Sequence, residues 1–192
     1  MTFHPKFVFV CSPCVGKTAL IHRISSNEFI NSHHVFIDDE TEKSVHFNKQ
    51  DHPVTLFDTF DDLECEDLMA EYVYYGDGLF VVYSISDRKS FDGLELIIGD
   101  GLCSRDGKDT PMIVVGNECD VEEERQVTTE EGKAFAERKE KRMEFIEVSA
   151  KTLERGDEMV IIFIQKTEEI AQKKQNSNRE KTGVKKDKCF IQ

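Results

Sequence analysis

The stretch "VFVCSPCVGKTALI", residues 8–21, constrains the fold more than any other part of the chain. A short apolar run, "KFVFV", leads into a loop ending in Gly16-Lys17-Thr18, and helix-spaced Leu20, Ile21 and Ile24 follow. This is close to the phosphate-binding pattern G-x-x-x-x-G-K-[ST], in which backbone N–H groups and the following helix dipole face phosphate oxygens. Gly16 allows close backbone approach, Lys17 supplies a point charge, and the Thr18 hydroxyl can ligate Mg²⁺. Cys11 stands where the pattern has its first glycine, adding a side chain at the turn's entry, and Pro13 removes one N–H. Alone, a G-K-T triplet is a weak signature.

Strand and helix patterns alternate along the rest of the chain. "SVHFNKQDHPVTLFDTF" reads as two strands joined at Gln50–Pro53. "GLFVVYSI" and "PMIVVGN" are dense β-branched and aromatic runs, as buried parallel strands should be. "TTEEGKAFAERKEK" opens with Thr128-x-x-Glu131, a helix capping box, and "EFIEVSA" is a further strand. "GDEMVIIFIQKTEEIAQKK" is ambiguous at its apolar centre, but its length and polar second half favour helix. The order βα-ββα-βα-βα-βα implies an α/β fold, a mostly parallel six-stranded sheet with helices on both faces. Ligands of such sheets bind at the carboxyl ends of the strands, where residues 11–18 would lie.

Charge separates body from tail. The net charge is −13, yet residues 173–192 hold seven Lys/Arg against two Asp/Glu, or +5. The remainder carries 18 basic and 36 acidic residues, or −18, which argues against nucleic-acid binding by the body. No apolar run approaches the roughly 18 residues that cross a membrane. The N-terminus is too weakly apolar for a secretory signal, and Thr2 stands where N-myristoylation needs glycine. Six cysteines at irregular spacing then suit reduced thiols in the cytosol. Cys11-x-x-Cys14 has no second pair or His partner at ligand spacing, so a redox or metal reading is the distant one.

Three more strand ends carry short signatures: "DT" at 58–59, "VVGNECD" at 114–120 and "EVSAK" at 147–151. With the glycine-lysine loop, this set resembles the Ras branch of the small GTPases, almost without gaps from residue 2 to about 172. The resemblance implies a P-loop NTPase / small G-protein fold with residues 1–172 as a Ras-like G domain. It implies binding of GTP and GDP with Mg²⁺, and a monomer that meets effectors or regulators at residues 31–42 and 58–76. Pro13, Cys14, Val15, Gly16, Lys17, Thr18 and Ala19 would surround the phosphates, and Thr18 and Asp58 would hold the metal. Asn117 would buttress the site, and Asp120 would accept guanine N1–H and N2–H. The Ala150 N–H would meet guanine O6, positioned by Ser149 within Ser149-Ala150-Lys151, and Phe29 would pack edge-on to the base.

Departures from the family cluster around the third phosphate. Phe36 falls where the family places a threonine that ligates Mg²⁺ and contacts the γ-phosphate; Ser32 and Thr41 are too far away to substitute simply. The second-switch pattern D-x-x-G-Q reads Asp58-Thr59-Phe60-Asp61-Asp62, so Asp62 occupies the position of the water-orienting glutamine. Two unit charges at about 4 Å repel by about 4 kcal/mol at an effective ε of 20. A quarter of that is about fivefold in affinity. These changes disfavour GTP relative to GDP and leave no residue to take the glutamine's catalytic role. Glu118 replaces a family lysine that lies along the base and braces the phosphate loop, which predicts a looser base.

The chain ends in "CFIQ", a C-a-a-X box whose terminal glutamine points to a farnesyl group on Cys189. One lipid chain anchors only marginally, and Lys181, Lys185, Lys186 and Lys188 would supply the second signal at an anionic leaflet. Residues 173–192 are expected to be a flexible basic tail holding the acidic body off the cytoplasmic face of the plasma membrane. Two main readings stand: a lipid-anchored GTP/GDP signalling protein with impaired hydrolysis, or a pseudo-GTPase interaction module holding GDP or no nucleotide.

Overall fold

The computed structural model describes residues 4–29, 40–59, 73–103, 110–138, 143–152 and 156–183, with the backbone alone at 100–103, 156 and 171–183. In chain order its elements are β1 (Lys6–Cys11), α1 (Lys17–Ser26), β2 (Glu40–Phe47), β3 (Gln50–Asp58), β4 (Gly78–Ser84), α2 (Arg88–Asp92) and α3 (Leu94–Cys103). Then come β5 (Met112–Asn117), a 3₁₀ turn (Glu122–Glu124), α4 (Thr129–Arg138), β6 (Met143–Glu147) and α5 (Gly156–Gly183). The six strands form one sheet in the order β2-β3-β1-β4-β5-β6, parallel except for the β2–β3 hairpin.

Continuous apolar runs place helices on both faces. β4 is buried at all seven positions and β5 at all six, which a sheet with one wet face would not allow. Neighbouring residues of β1 point to opposite sides. Phe7 and Phe9 join Leu20, Ile24 and Phe163 beneath α1 and α5, while Val8 and Val10 join Phe91, Leu94 and Phe135 beneath α2, α3 and α4. Phe163 stacks on Phe80 at 4.3 Å and meets Phe7 edge-on at 4.7 Å. A Cβ at Gly78 would lie 1.8 Å from the Phe163 ring, so glycine there is what lets α5 approach β4 this closely.

Two expectations about boundaries are corrected. The hairpin turns at Asn48-Lys49, with φ of 50° and 62°, and not at Gln50–Pro53. Two consecutive left-handed residues match the twist of a two-residue hairpin loop. Pro53 sits inside β3 opposite Ser44. Thr55 N–H already reaches Pro5 O at the start of β1, so the side of β3 on which Pro53 lacks a donor lies beyond the end of that neighbour. α5 is helical through Gly183, so the backbone of 173–183 continues the helix rather than opening a tail at 173. Alanine, glutamine, lysine, glutamate and arginine propagate a helix, and no proline interrupts it.

The capping box forms as expected. Thr128 N–H donates to Glu131 Oε2 at 2.9 Å, and Glu131 N–H donates to Thr128 Oγ1 at 3.2 Å. The Arg88 guanidinium, 2.6 Å from Glu131 Oε1, together with the Thr128 N–H holds the Glu131 carboxyl down at about 2. Among the described residues no helix is long and apolar enough to cross a membrane.

Candidate functional site

The position of the missing first glycine does not call for left-handed backbone. Cys11 is the last residue of β1, paired with Val82 of β4, and its half-buried side chain packs against the core. It is not among the positive-φ residues, so no glycine is required there. The left-handed positions of the loop are Cys14 at φ 63° and Gly16 at φ 76°. Gly16 is the N-cap of α1, and no side chain caps that end. A helix start of this kind presents its backbone dipole to an anion bound in front of it.

Three side chains converge at this helix start. Lys17, only 5% exposed, places Nζ 2.5 Å from Asp58 Oδ1 and also donates to the Thr59 carbonyl. Thr18 Oγ1 donates to Asp58 Oδ2 at 2.7 Å. Asp58 ends β3 and Lys17 opens α1, and β1 pairs with β3 from Lys6↔Thr55 to Phe9↔Asp58, which brings the two ends together. The Thr18 hydroxyl and Asp58 carboxylate are hard oxygen donors on one spot and fit Mg²⁺. Among the described residues no group of three or more His, Cys, Asp or Glu could hold a metal. A Mg²⁺ at Thr18 and Asp58 would draw its remaining ligands from phosphate and water, as this ion commonly does.

A second constellation forms where β5 and β6 end side by side. Asn117, 1% exposed, donates from Nδ2 to the Val15 carbonyl at 2.9 Å and accepts the Ala150 N–H on Oδ1 at 3.3 Å. It ties the phosphate loop to the loop after β6. Ser149 Oγ donates to Asp120 Oδ1 at 2.5 Å and accepts the Thr152 N–H at 3.1 Å. Lys151 Nζ lies 3.5 Å from Asp120 Oδ2. A Cβ on Gly16 would come within 2.7 Å of Asn117 Nδ2, so the two constellations touch at that glycine.

Ala19 packs against the core behind the loop, Val15 is buried, and Phe29 stands 39% exposed. Phe36, Asp61, Asp62 and Cys189 lie outside the described residues, as do most of 31–42 and 58–76. Of the first of those stretches, Glu40 and Glu42 are exposed on the edge strand β2. Two residues that sequence reasoning missed are Ser84 and Ser86, whose hydroxyls both donate to Glu118 Oε2, the second at 3.1 Å. The one hint was positional, since Ser84 ends the strand beside β5, opposite Asn117.

An open parallel sheet with a glycine-lysine loop before its first helix, and an Asn/Asp and Ser-Ala pair at the ends of β5 and β6, defines a phosphate-loop nucleotide-binding protein. The family model "Ras family" matches residues 6–171, and the chain belongs to that family. It is a small GTP-binding signalling protein, of a family that binds GTP and GDP with Mg²⁺ and works through effector and regulator proteins.

Proposed function

We propose that the chain binds guanine nucleotide between these two constellations, turns GTP over at or below the slow unassisted rate of its family, and is anchored to a membrane through Cys189. One observation carries the nucleotide reading. Lys17, Thr18 and Asp58 meet at the helix start, while Asn117, Asp120, Ser149 and Ala150 meet within the same row of strand ends. The first set suits phosphates and Mg²⁺. In the second, a carboxylate beside a backbone N–H matches the N1–H, N2–H and O6 edge of guanine and mismatches adenine.

Slow hydrolysis follows from the residue at 62. A glutamine amide donates and accepts and can orient a water, whereas the Asp62 carboxylate only accepts and is one methylene shorter. Mass analysis of nucleotide released from the purified protein should give GDP or GTP, and competition should rank GDP far above ADP. Single-turnover assay with labelled GTP should give no more than the family's unassisted rate. Equal binding of ADP overturns the guanine reading; fast turnover abolished by Asp62→Asn overturns the impaired-hydrolysis reading.

A second reading, a pseudo-GTPase interaction module holding GDP or no nucleotide, is favoured by Phe36, Asp61 and Asp62, which stand where the family has its γ-phosphate contacts and its glutamine. Released protein that carries GDP or no nucleotide, and that does not bind a non-hydrolysable GTP analogue, would select it.

The anchor reading rests on "CFIQ" and on Lys185, Lys186 and Lys188 just before it. A single prenyl chain binds marginally without such a second signal. Cys189→Ser should move the protein from the membrane to the soluble fraction. A variant that stays membrane-bound overturns lipidation.

A further inference from the structure

We propose that Glu118, with Ser84 and Ser86, is a latch that holds the base-recognition loop formed in the absence of nucleotide; its consequence for affinity rests on the guanine reading above. Glu118 lies between Asn117 and Asp120 with φ 67°, so whatever fixes it fixes the residues on both sides. Its carboxylate is half-buried and receives two hydroxyl donors, Ser84 Oγ and Ser86 Oγ. Hydrogen bonds to a charged acceptor are about twice as strong as neutral ones.

The donors are themselves fixed. Ser84 is 2% exposed, and its N–H donates to Ser90 Oγ at 3.0 Å. Ser90 Oγ in turn donates to the Asp87 carbonyl at 2.7 Å. Ser84 Oγ accepts the Ser86 N–H at 3.2 Å and lies 2.8 Å from Ser86 Oγ. Behind them Ile85 N–H donates to the Asn117 carbonyl at 3.1 Å. The turn after β4 is thus a rigid frame, and the loop after β5 is fastened to it through Glu118.

This differs from the part the family's lysine plays, which is to lie along the base and brace the phosphate loop. That lysine takes part of its contacts from the nucleotide itself. The Glu118 carboxylate faces protein donors that are always present. Ordering a loop costs conformational entropy whenever it happens. In this chain that cost falls at folding, before nucleotide arrives. A site that is already competent binds without the reduction in apparent affinity that a fractionally populated one suffers. Glu118 is therefore a positioning residue, acting on the base through Asn117 and Asp120.

Hydrogen exchange on the full chain, stripped of nucleotide, tests this directly. Ser84→Ala/Ser86→Ala should speed exchange at residues 117–121 at least tenfold and leave the interior of β4 and β5 unchanged. Glu118→Ala should do the same from the other side, while Glu118→Gln, whose amide oxygen still accepts, should stay near wild type. With GDP as the probe, both disrupting changes should raise Kd about tenfold through slower association, with dissociation little changed. Unchanged exchange in both disrupting variants overturns the latch. If the exchange effect appears and wild-type protein binds no GDP, the latch stands and the guanine reading falls.

Discussion

Asp120→Asn should invert the base preference of this protein, weakening GDP at least a hundredfold and making xanthosine diphosphate the better ligand. In the proposed guanine site the Asp120 carboxylate would accept two donors, guanine N1–H and N2–H. Hydrogen bonds to a charged group contribute about 1.5–3 kcal/mol each, and a loss of about 3 kcal/mol is more than a hundredfold in Kd. Xanthine carries a carbonyl where guanine carries its amine. An asparagine amide can donate to that carbonyl and still accept N1–H, so the pairing is restored with the opposite polarity. The pocket should survive the change. The new amide retains an oxygen for Ser149 Oγ, and the pair to Lys151 that is given up involves a side chain 66% exposed, where ion pairs contribute little. Isothermal titration with both diphosphates measures the effect. Equal weakening of both ligands would mean that Asp120 shapes the loop without reading the base.

How much of this was legible beforehand depends on how local the cause is. The sheet was, because β4 and β5 must be covered on both faces whatever else the chain does. So was the capping box, which is written within four residues. The hairpin was misplaced because Pro53 reads as a turn residue. The actual turn, Asn48-Lys49, takes left-handed backbone without the glycine that usually marks it. Pro53 is tolerated in β3 only because β1 has not yet begun beside it, a fact about a neighbouring strand.

The site divides in the same way. Lys17, Thr18, Asp58, Asn117, Asp120 and Ser149 could be named because the short motifs at the strand ends resemble those of the small GTPases, and the structure gathers them into two clusters. Their bonds to one another follow from the parallel register of β1, β3, β5 and β6. Glu118 could be read only as a lost lysine, since its partners lie 34 and 32 residues away. Cys11 read as a lost glycine and is an ordinary strand residue, because the left-handed turn of the loop falls at Cys14 and Gly16 instead.

That placement makes Gly16 the most sensitive position in the site. Gly16→Val puts a β-branched side chain at φ 76°, where strain is on the order of 1–3 kcal/mol. Its Cβ would lie 2.7 Å from Asn117 Nδ2, and Asn117 is 1% exposed with no room to retreat into solvent. Displacing Asn117 breaks its bonds to Val15 and Ala150 and leaves a buried amide unsatisfied, roughly another 1–3 kcal/mol. Together these should lower stability by about 3 kcal/mol, or about 6–12 °C in Tm for a domain of this size. They should also weaken GDP by more than about a hundredfold, since both constellations are disturbed where they touch. Scanning calorimetry and GDP titration read the two effects separately. Gly99→Ala on α3 is the matched control. A Cβ there meets nothing within 4 Å, and replacing a helical glycine should stabilise by up to about 1 kcal/mol without touching GDP affinity. If Gly16→Val binds GDP within tenfold of wild type while Gly99→Ala behaves as expected, the phosphates do not lie against the start of α1.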